Sequence, residues 1–314
     1  MIRLYLIIFL VFNSFLIFGQ IDVQMYYKFC LKAEKKYNIS EYDSSAYYYT
    51  KAFTMNCYKN SKDLYLASIV FTKIKQDSIG IEYLKEAYKK GLKSKKKLKS
   101  NKFWKDIKDS IPGYTHFAKS KNNCKYEYVI DSLFKEDQRV RTAKYSKAKK
   151  TVIKYIKDTT LNRNDIKYIK ARKLMTNWQK TDSLNFFKLN KYIDMYGYPY
   201  EGNISNDDII SKAYIIIFHF DYDRTAKTTF NIIDTALVKG YITPVNYASI
   251  VDRRMMLSLG KMPYYYEIPI GLNRLSTKEL DSLSKRRNNI GLPNIFEHLS
   301  IKYKGNNMKV TYKK

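Results

Sequence analysis

Apolar positions between residues 22 and 108 recur with a helical period and nowhere alternate like a strand for any length. Tyr26, Phe29, Cys30, Ala33 and Tyr37 fall at i, i+3, i+4, i+7 and i+11, which is one face of a helix. Ala46, Tyr49, Ala52 and Phe53 repeat the spacing after a break at 38–40. Leu64, Ala67, Ser68, Phe71 and Ile74 mark a third helix. Ile81, Leu84, Ala87 and Tyr88 mark a fourth, with Asp77 and Ser78 as an N-cap pair and Gly91 as its stop. Small residues at 52, 67 and 87 allow neighbouring helices to approach closely. The second and fourth helices are self-similar: AYYYTKAF at 46–53 lies over IEYLKEAY at 81–88 with an offset of 35.

The second half carries the same period with more polar interruptions. Ile130, Leu133 and Phe134 set a stripe that runs into DQRVR at 137–141. A stretch rich in Lys, Thr and Asn comes next at 147–180. Residues 184–196 read as a helix closed by Gly197, with Pro199 two residues on. Residues 209–220 are strongly apolar and end in HFDYD at 219–223; Asp223 fits the N-cap of the next helix. Residues 225–239 are amphipathic and stop at Gly240. Pro244 opens another helix. YYYEIPIG at 264–271 is the best strand candidate, and 278–289 is a last helix before Gly291-Leu292-Pro293.

Helix pairs repeating at about 34 residues resemble the tetratricopeptide repeat. The Ala-Phe/Tyr pair that ends the second helix of such a unit is present at 52–53 and 87–88; the full consensus is absent. Two repeats fall below the roughly three that usually stand alone, so the stack is expected to lean on the following domain or on a partner. Such stacks serve protein binding; a structural brace is the plainer reading. The expected fold is mainly α: a short tetratricopeptide-like hairpin stack, then a helical domain with at most a small β element. The expected division is 1–20, 21–110, 125–303 and a tail at 304–314.

The first twenty residues set the expected compartment. Arg3 supplies a charge, 4–19 are nearly all apolar, and Gly19 precedes the polar sequence. That is the layout of a cleaved signal peptide. Sixteen residues span about 24 Å, short of a bilayer core of roughly 30 Å. The chain is therefore expected to be periplasmic or secreted in a bacterium, with no integral membrane segment once the leader is removed. Cys30 and Cys57 would then meet an oxidising compartment, where they either pair across the hairpin or stay as buried thiols.

Charge changes meaning under export. The 58 Lys and Arg outnumber the 29 Asp and Glu, for a net +29. They are spread out: 23 basic against 10 acidic residues in 21–125, and 34 against 19 in 126–314. A cytosolic protein of this charge would suggest nucleic acid. An exported one is expected to meet a protein or an anionic envelope component, and nucleic acid is disfavoured. Eight Lys and no acid lie in 89–102, an anion-binding stripe or a solvated face.

The order of polar motifs also resembles an uncharacterised bacterial domain family of unknown function. Its pattern matches Asp137, Gln138 and Arg141; Tyr196, Gly197 and Pro199; Ala213, Ile216, His219 and Asp221. It continues through Gly240, Pro244, Asn246, Ala248, Asp252 and Arg253, then Gly260 and Lys261, and ends at Arg286, Arg287, Gly291, Leu292 and Pro293. Where that family has a Gln-x-Tyr-Gly-Thr loop after Gly-Lys, this chain has Met262-Pro263-Tyr264-Tyr265-Tyr266-Glu267, so a function that uses the loop is in doubt. The resemblance brings candidate positions and no activity.

The residues themselves nominate a polar set. His219, two residues before Asp221, is either a general base oriented by Asp221 or Asp252 or a hydrogen-bonded structural histidine. Asp252 completes the catalytic candidates. Gln138, Arg141, Arg253, Lys261 and Tyr265 are the binding candidates, and Arg–carboxylate pairs among them could equally lock helices. Arg286 and Arg287 read as a charged last turn. Three His without metal-ligand spacing predict no metal, and no phosphate loop, dinucleotide fingerprint or serine-nucleophile motif appears, so no cofactor is expected. Two functions are consistent with this set: an exported helical binding protein, or a hydrolase-like enzyme around His219, Asp221, Asp252 and Arg253. The enzyme reading requires His219, Asp221, Asp252, Arg253, Gln138 and Arg141 to converge on an open pocket.

Overall fold

A computed structural model describes residues 21–90, 92, 124–158, 160–204, 207–220, 227–257, 261–267, 272 and 275–297. The expected leader at 1–20, Gly91, most of the Lys-rich stretch at 89–102, Asp221, Asp223, Gly260 and the tail at 304–314 lie outside the described residues. The fold is mainly α, and no strand occurs among the described residues. The helices are α1 (21–38), α2 (Tyr42–Phe53), α3 (Ser61–Lys73), α4 (Asp77–Lys89), α5 (Cys124–Arg139), α6 (Ala143–Lys157), α7 (Ile166–Tyr196), α8 (Asp207–His219), α9 (Lys227–Val238), α10 (Pro244–Leu257) and α11 (Thr277–Asn288). No helix among the described residues is long and apolar enough to cross a membrane.

The first four helices match the predicted stripes. Tyr26, Cys30, Ala33, Ala46, Tyr49 and Ala52 bury together against Ala67, Val70 and Phe71. Leu64, Tyr65, Leu84 and Ala87 join α3 to α4. Gly80 lets these two helices close: a Cβ there would sit 2.9 Å from the Ser68 carbonyl and from Thr72 Oγ1. Helix α3 starts where Asn60 accepts the Asp63 N–H at 2.9 Å. Asp77 is no N-cap: α4 starts at Asp77 itself, after Lys75 turns the chain with φ 63°. Cys30 and Cys57 are free thiols, which settles the two expectations in favour of no bridge.

The main core lies in the second half. Tyr126, Ile130 and Leu133 of α5 pack with Phe186, Leu189 and Ile193 of α7, with Ile216 and Ile217 of α8, and with residues of α9 and α10. The helix expected at 184–196 is the end of a 31-residue helix, about 46 Å long. Its first half leaves the body and packs with α6 around Ala148, Val152 and Ala171, a small core of its own. The Lys, Thr and Asn at 147–180 hide this hairpin from a sequence reading, because so narrow an apolar seam gives little periodic signal. Asp165 caps α7 by accepting the Lys167 N–H at 2.7 Å, and it takes the Tyr155 hydroxyl at 2.6 Å.

The four-helix front unit packs against this body. Glu201 accepts the Ser61 N–H at 2.7 Å and the Ser61 hydroxyl at 3.0 Å, so a carboxylate from the second half sits on the N-terminus of α3. Tyr58 meets Tyr200 and Tyr241 edge-on, and those two stack at 3.8 Å. Gln24 donates to the Asn288 carbonyl at 2.7 Å. Gly291, with φ +83°, brings the end of α11 against α1; a Cβ there would lie 3.0 Å from Tyr27 Cβ.

Residues 264–267, expected to begin a strand, form a bent loop instead. Tyr266 has φ 55°, which breaks extended geometry.

Candidate functional site

Three helices bring the polar residues of DQRVR to one place. Asp137 sits in the last turn of α5, and Arg141, two residues past the end of that helix, folds back onto it. Arg141 Nη1 lies 2.9 Å from Asp137 Oδ1 and also donates to the Asp137 carbonyl. Its Nη2 donates to Asp182 of α7 at 2.8 Å. The guanidinium carbon lies 5.2 Å from the Trp178 ring centre, a cation–π contact from the same face of α7 as Asp182. Gln138 Nε2 donates to Asp137 Oδ2 at 2.7 Å.

His219 ends α8, and its Nδ1 lies 3.1 Å from both oxygens of Asp137. An ionised carboxylate only accepts, so this contact places a proton on Nδ1 and leaves Nε2 as the second nitrogen. Asp137 is fully buried, while the His219 side chain is 18% exposed. Two carboxylates thus face one guanidinium. The arrangement can hold an imidazole in one orientation, and it can also simply lock α5, α7 and α8 together. Asn185 donating to the Leu133 carbonyl at 3.2 Å and Lys212 bridging to Asp131 at 2.7 Å serve that second purpose beside it.

Asp252 belongs to a different cluster, and the carboxylate that orients His219 is Asp137. Asp252 is fully buried and accepts the Tyr265 N–H at 2.6 Å and the Glu267 N–H at 2.7 Å. These two N–H groups are two residues apart, so one carboxylate fixes the bent loop. Arg287 stands in the basic last turn of α11, as read from the sequence, and is fully buried there. It donates to the Tyr265 carbonyl at 2.7 Å and the Pro293 carbonyl at 2.8 Å. Its Nη2 lies 2.9 Å from Glu267 Oε1, an ion pair off the hydrogen-bond angle. Arg286 lies in the same basic last turn, half-buried, with its guanidinium 4.7 Å from the Tyr264 ring centre.

The remaining candidates scatter. Arg253 lies 4.6 Å over the Phe218 ring, next to His219. Lys261 is exposed, and its N–H donates to the Met255 carbonyl at 2.9 Å. Tyr265 is buried, and burial pushes its hydroxyl up to about 12. Of the six side chains required to converge, His219, Gln138 and Arg141 meet on Asp137; Asp252 serves the loop. The sequence pattern does not single out Asp182, Trp178 or Glu267, nor the buried role of Arg287. The four-residue spacing of Trp178 and Asp182 is the one signal that could flag the first two.

No group of three or more His, Cys, Asp and Glu able to hold a metal occurs among the described residues. A cavity of about 190 Å³ opens at the junction of the two halves, lined by Tyr58, Tyr200 and Tyr241 among others. It is smaller than the roughly 300–1,000 Å³ of typical small-molecule sites. No family model, curated protein sequence or solved structure matches this chain.

Proposed function

We propose that this chain is an exported helical binding protein that takes an anionic component of the cell envelope or an acidic protein. One observation carries the reading: two buried clusters of ionisable groups, around Asp137 and around Arg287, are partnered from within the protein, while exposed lysines and arginines crowd the surface. Asp137, Arg141, Asp182 and His219 form one closed set, and Asp252, Glu267 and Arg287 form another. The chain holds 58 basic against 29 acidic residues, and all twelve Lys and Arg of 143–180 are exposed. The tetratricopeptide-like front unit, the signal-like first twenty residues and the departure from the family's Gln-x-Tyr-Gly-Thr loop support the same reading. The test is retention on immobilised anionic polymer against salt for the wild type and for His219→Asn. Equal, salt-sensitive retention of both supports binding. Loss of retention by His219→Asn alone would contradict it.

The hydrolase-like reading keeps one observation, the imidazole held by a buried carboxylate at 3.1 Å. It predicts turnover of an ester, glycoside or peptide that His219→Asn abolishes while the fold survives.

A further inference from the structure

The α6–α7 hairpin concentrates charge and apolar surface in a way the rest of the described chain does not. Residues 143–180 hold twelve Lys and Arg and two Asp, Asp158 and Asp165. Every one of the twelve is exposed, and none forms an ion pair with an acid among the described residues. Both aspartates are engaged in the turn: Asp158 takes the Thr160 N–H and hydroxyl, and Asp165 caps α7. The field around the hairpin is therefore positive from base to tip.

Four isoleucines bracket that turn and face water: Ile153 at 41% exposure, Ile156 at 52%, Ile166 at 63% and Ile169 at 53%. Each helix contributes a pair three residues apart, so the apolar surface forms a collar at the far end of the hairpin. Leaving four aliphatic side chains in water among lysines is costly unless something covers them. The first turns of α7 pack with α6 around Ala148, Val152 and Ala171, a cluster separate from the main core. The collar therefore stands away from the body, where a broad surface can reach it.

We infer that this hairpin docks the protein on an anionic lipid bilayer, with the lysines on the headgroups and the isoleucine collar at the acyl boundary. This rests on the binding reading above and names its partner. Charge complementarity requires an anionic occupant. The exposed aliphatics choose a bilayer over nucleic acid, whose phosphates take Lys but offer nothing to Ile and whose bases prefer aromatic platforms.

The test uses the full chain with Trp104→Phe and Trp178→Phe as the background and Ile166→Trp as its single tryptophan, so that neither the apolar segment at 4–19 nor a native indole can produce the signal. Vesicles of phosphatidylcholine mixed with phosphatidylglycerol should blue-shift the reporter's emission, and bromine-labelled acyl chains should quench it. Vesicles of phosphatidylcholine alone should do neither. Replacing Lys149, Lys154, Lys170 and Lys173 with Gln should weaken the response at least tenfold. Replacing Ile153, Ile156 and Ile169 with Ser should remove the quenching, and circular dichroism confirms that each variant stays helical. An unshifted reporter while the chain still floats with anionic vesicles would overturn the hairpin as the contact. Binding to duplex DNA at equal salt-sensitive affinity, with no acyl quenching, would overturn the lipid and leave the anionic-partner reading standing. No salt-sensitive binding to any of these probes would sink both.

Discussion

At the residue scale, the buried charges decide what can be changed. Asp137 is the hub, because His219, Gln138 and Arg141 all turn to it. Asp137→Asn removes a charge that a buried guanidinium needs, and the loss should be about 3 kcal/mol of stability in urea unfolding. His219→Asn removes only a partly exposed partner and should cost less than half of that. Asp63 behaves in the opposite sense. It is buried and accepts the Tyr26 hydroxyl at 2.7 Å, and desolvation holds its carboxyl above the usual carboxylate range despite that bond. A raised folded-state pKa means that ionisation costs stability as pH rises through it, and the cost vanishes as pH falls below the unfolded value near 3.9. Asp63→Asn should therefore gain on the wild type towards neutral pH, and the gap in melting temperature should narrow on acidification. Cys30 and Cys57 obey the same physics: burial raises both thiols, Cys57 to about 11, so alkylation at neutral pH should be slow until the chain unfolds.

At the element scale, legibility in the sequence depends on how wide each apolar face is. Helices α1 to α4 and α8 to α11 are readable because each buries a broad stripe, such as Tyr26, Cys30 and Ala33, or Ile209, Ala213 and Ile216. The hairpin of α6 and α7 is not, because its seam is a few small residues flanked by lysines. The bent loop misleads for a different reason. Tyr264, Tyr265 and Tyr266 favour strand, and a carboxylate thirteen residues away in sequence overrides that preference through two N–H bonds. The candidate site is half legible: DQRVR and His219 announce themselves, but a single sequence gives no sign that Asp252 turns to the loop. Asp252→Ala should leave two buried N–H groups without an acceptor, at about 1–3 kcal/mol each. Limited proteolysis should then cut within 262–267 in the variant and spare the wild type.

At the scale of the whole molecule, two helical halves are held by a few specific contacts. The Glu201 carboxylate caps α3 from across the junction, and Gly291 allows α11 to meet α1. Glu201→Ala should cost about 1 kcal/mol, the usual worth of a cap, read as a lower melting temperature by circular dichroism. Gly291→Ala asks a left-handed position to accept a Cβ pressed on Tyr27, a strain of about 1–2 kcal/mol before any clash. Under the proposed binding function, the charge around this body is the contact surface, and His219 and its neighbours have the work of holding the fold. The most direct measurement is the affinity of the full chain for phosphatidylglycerol-containing vesicles as a function of salt, for the wild type and for His219→Asn. Surface-borne binding predicts the same affinity and the same steep fall with salt for both. A salt-independent affinity, or one that His219→Asn abolishes while the helices stay folded, would contradict it.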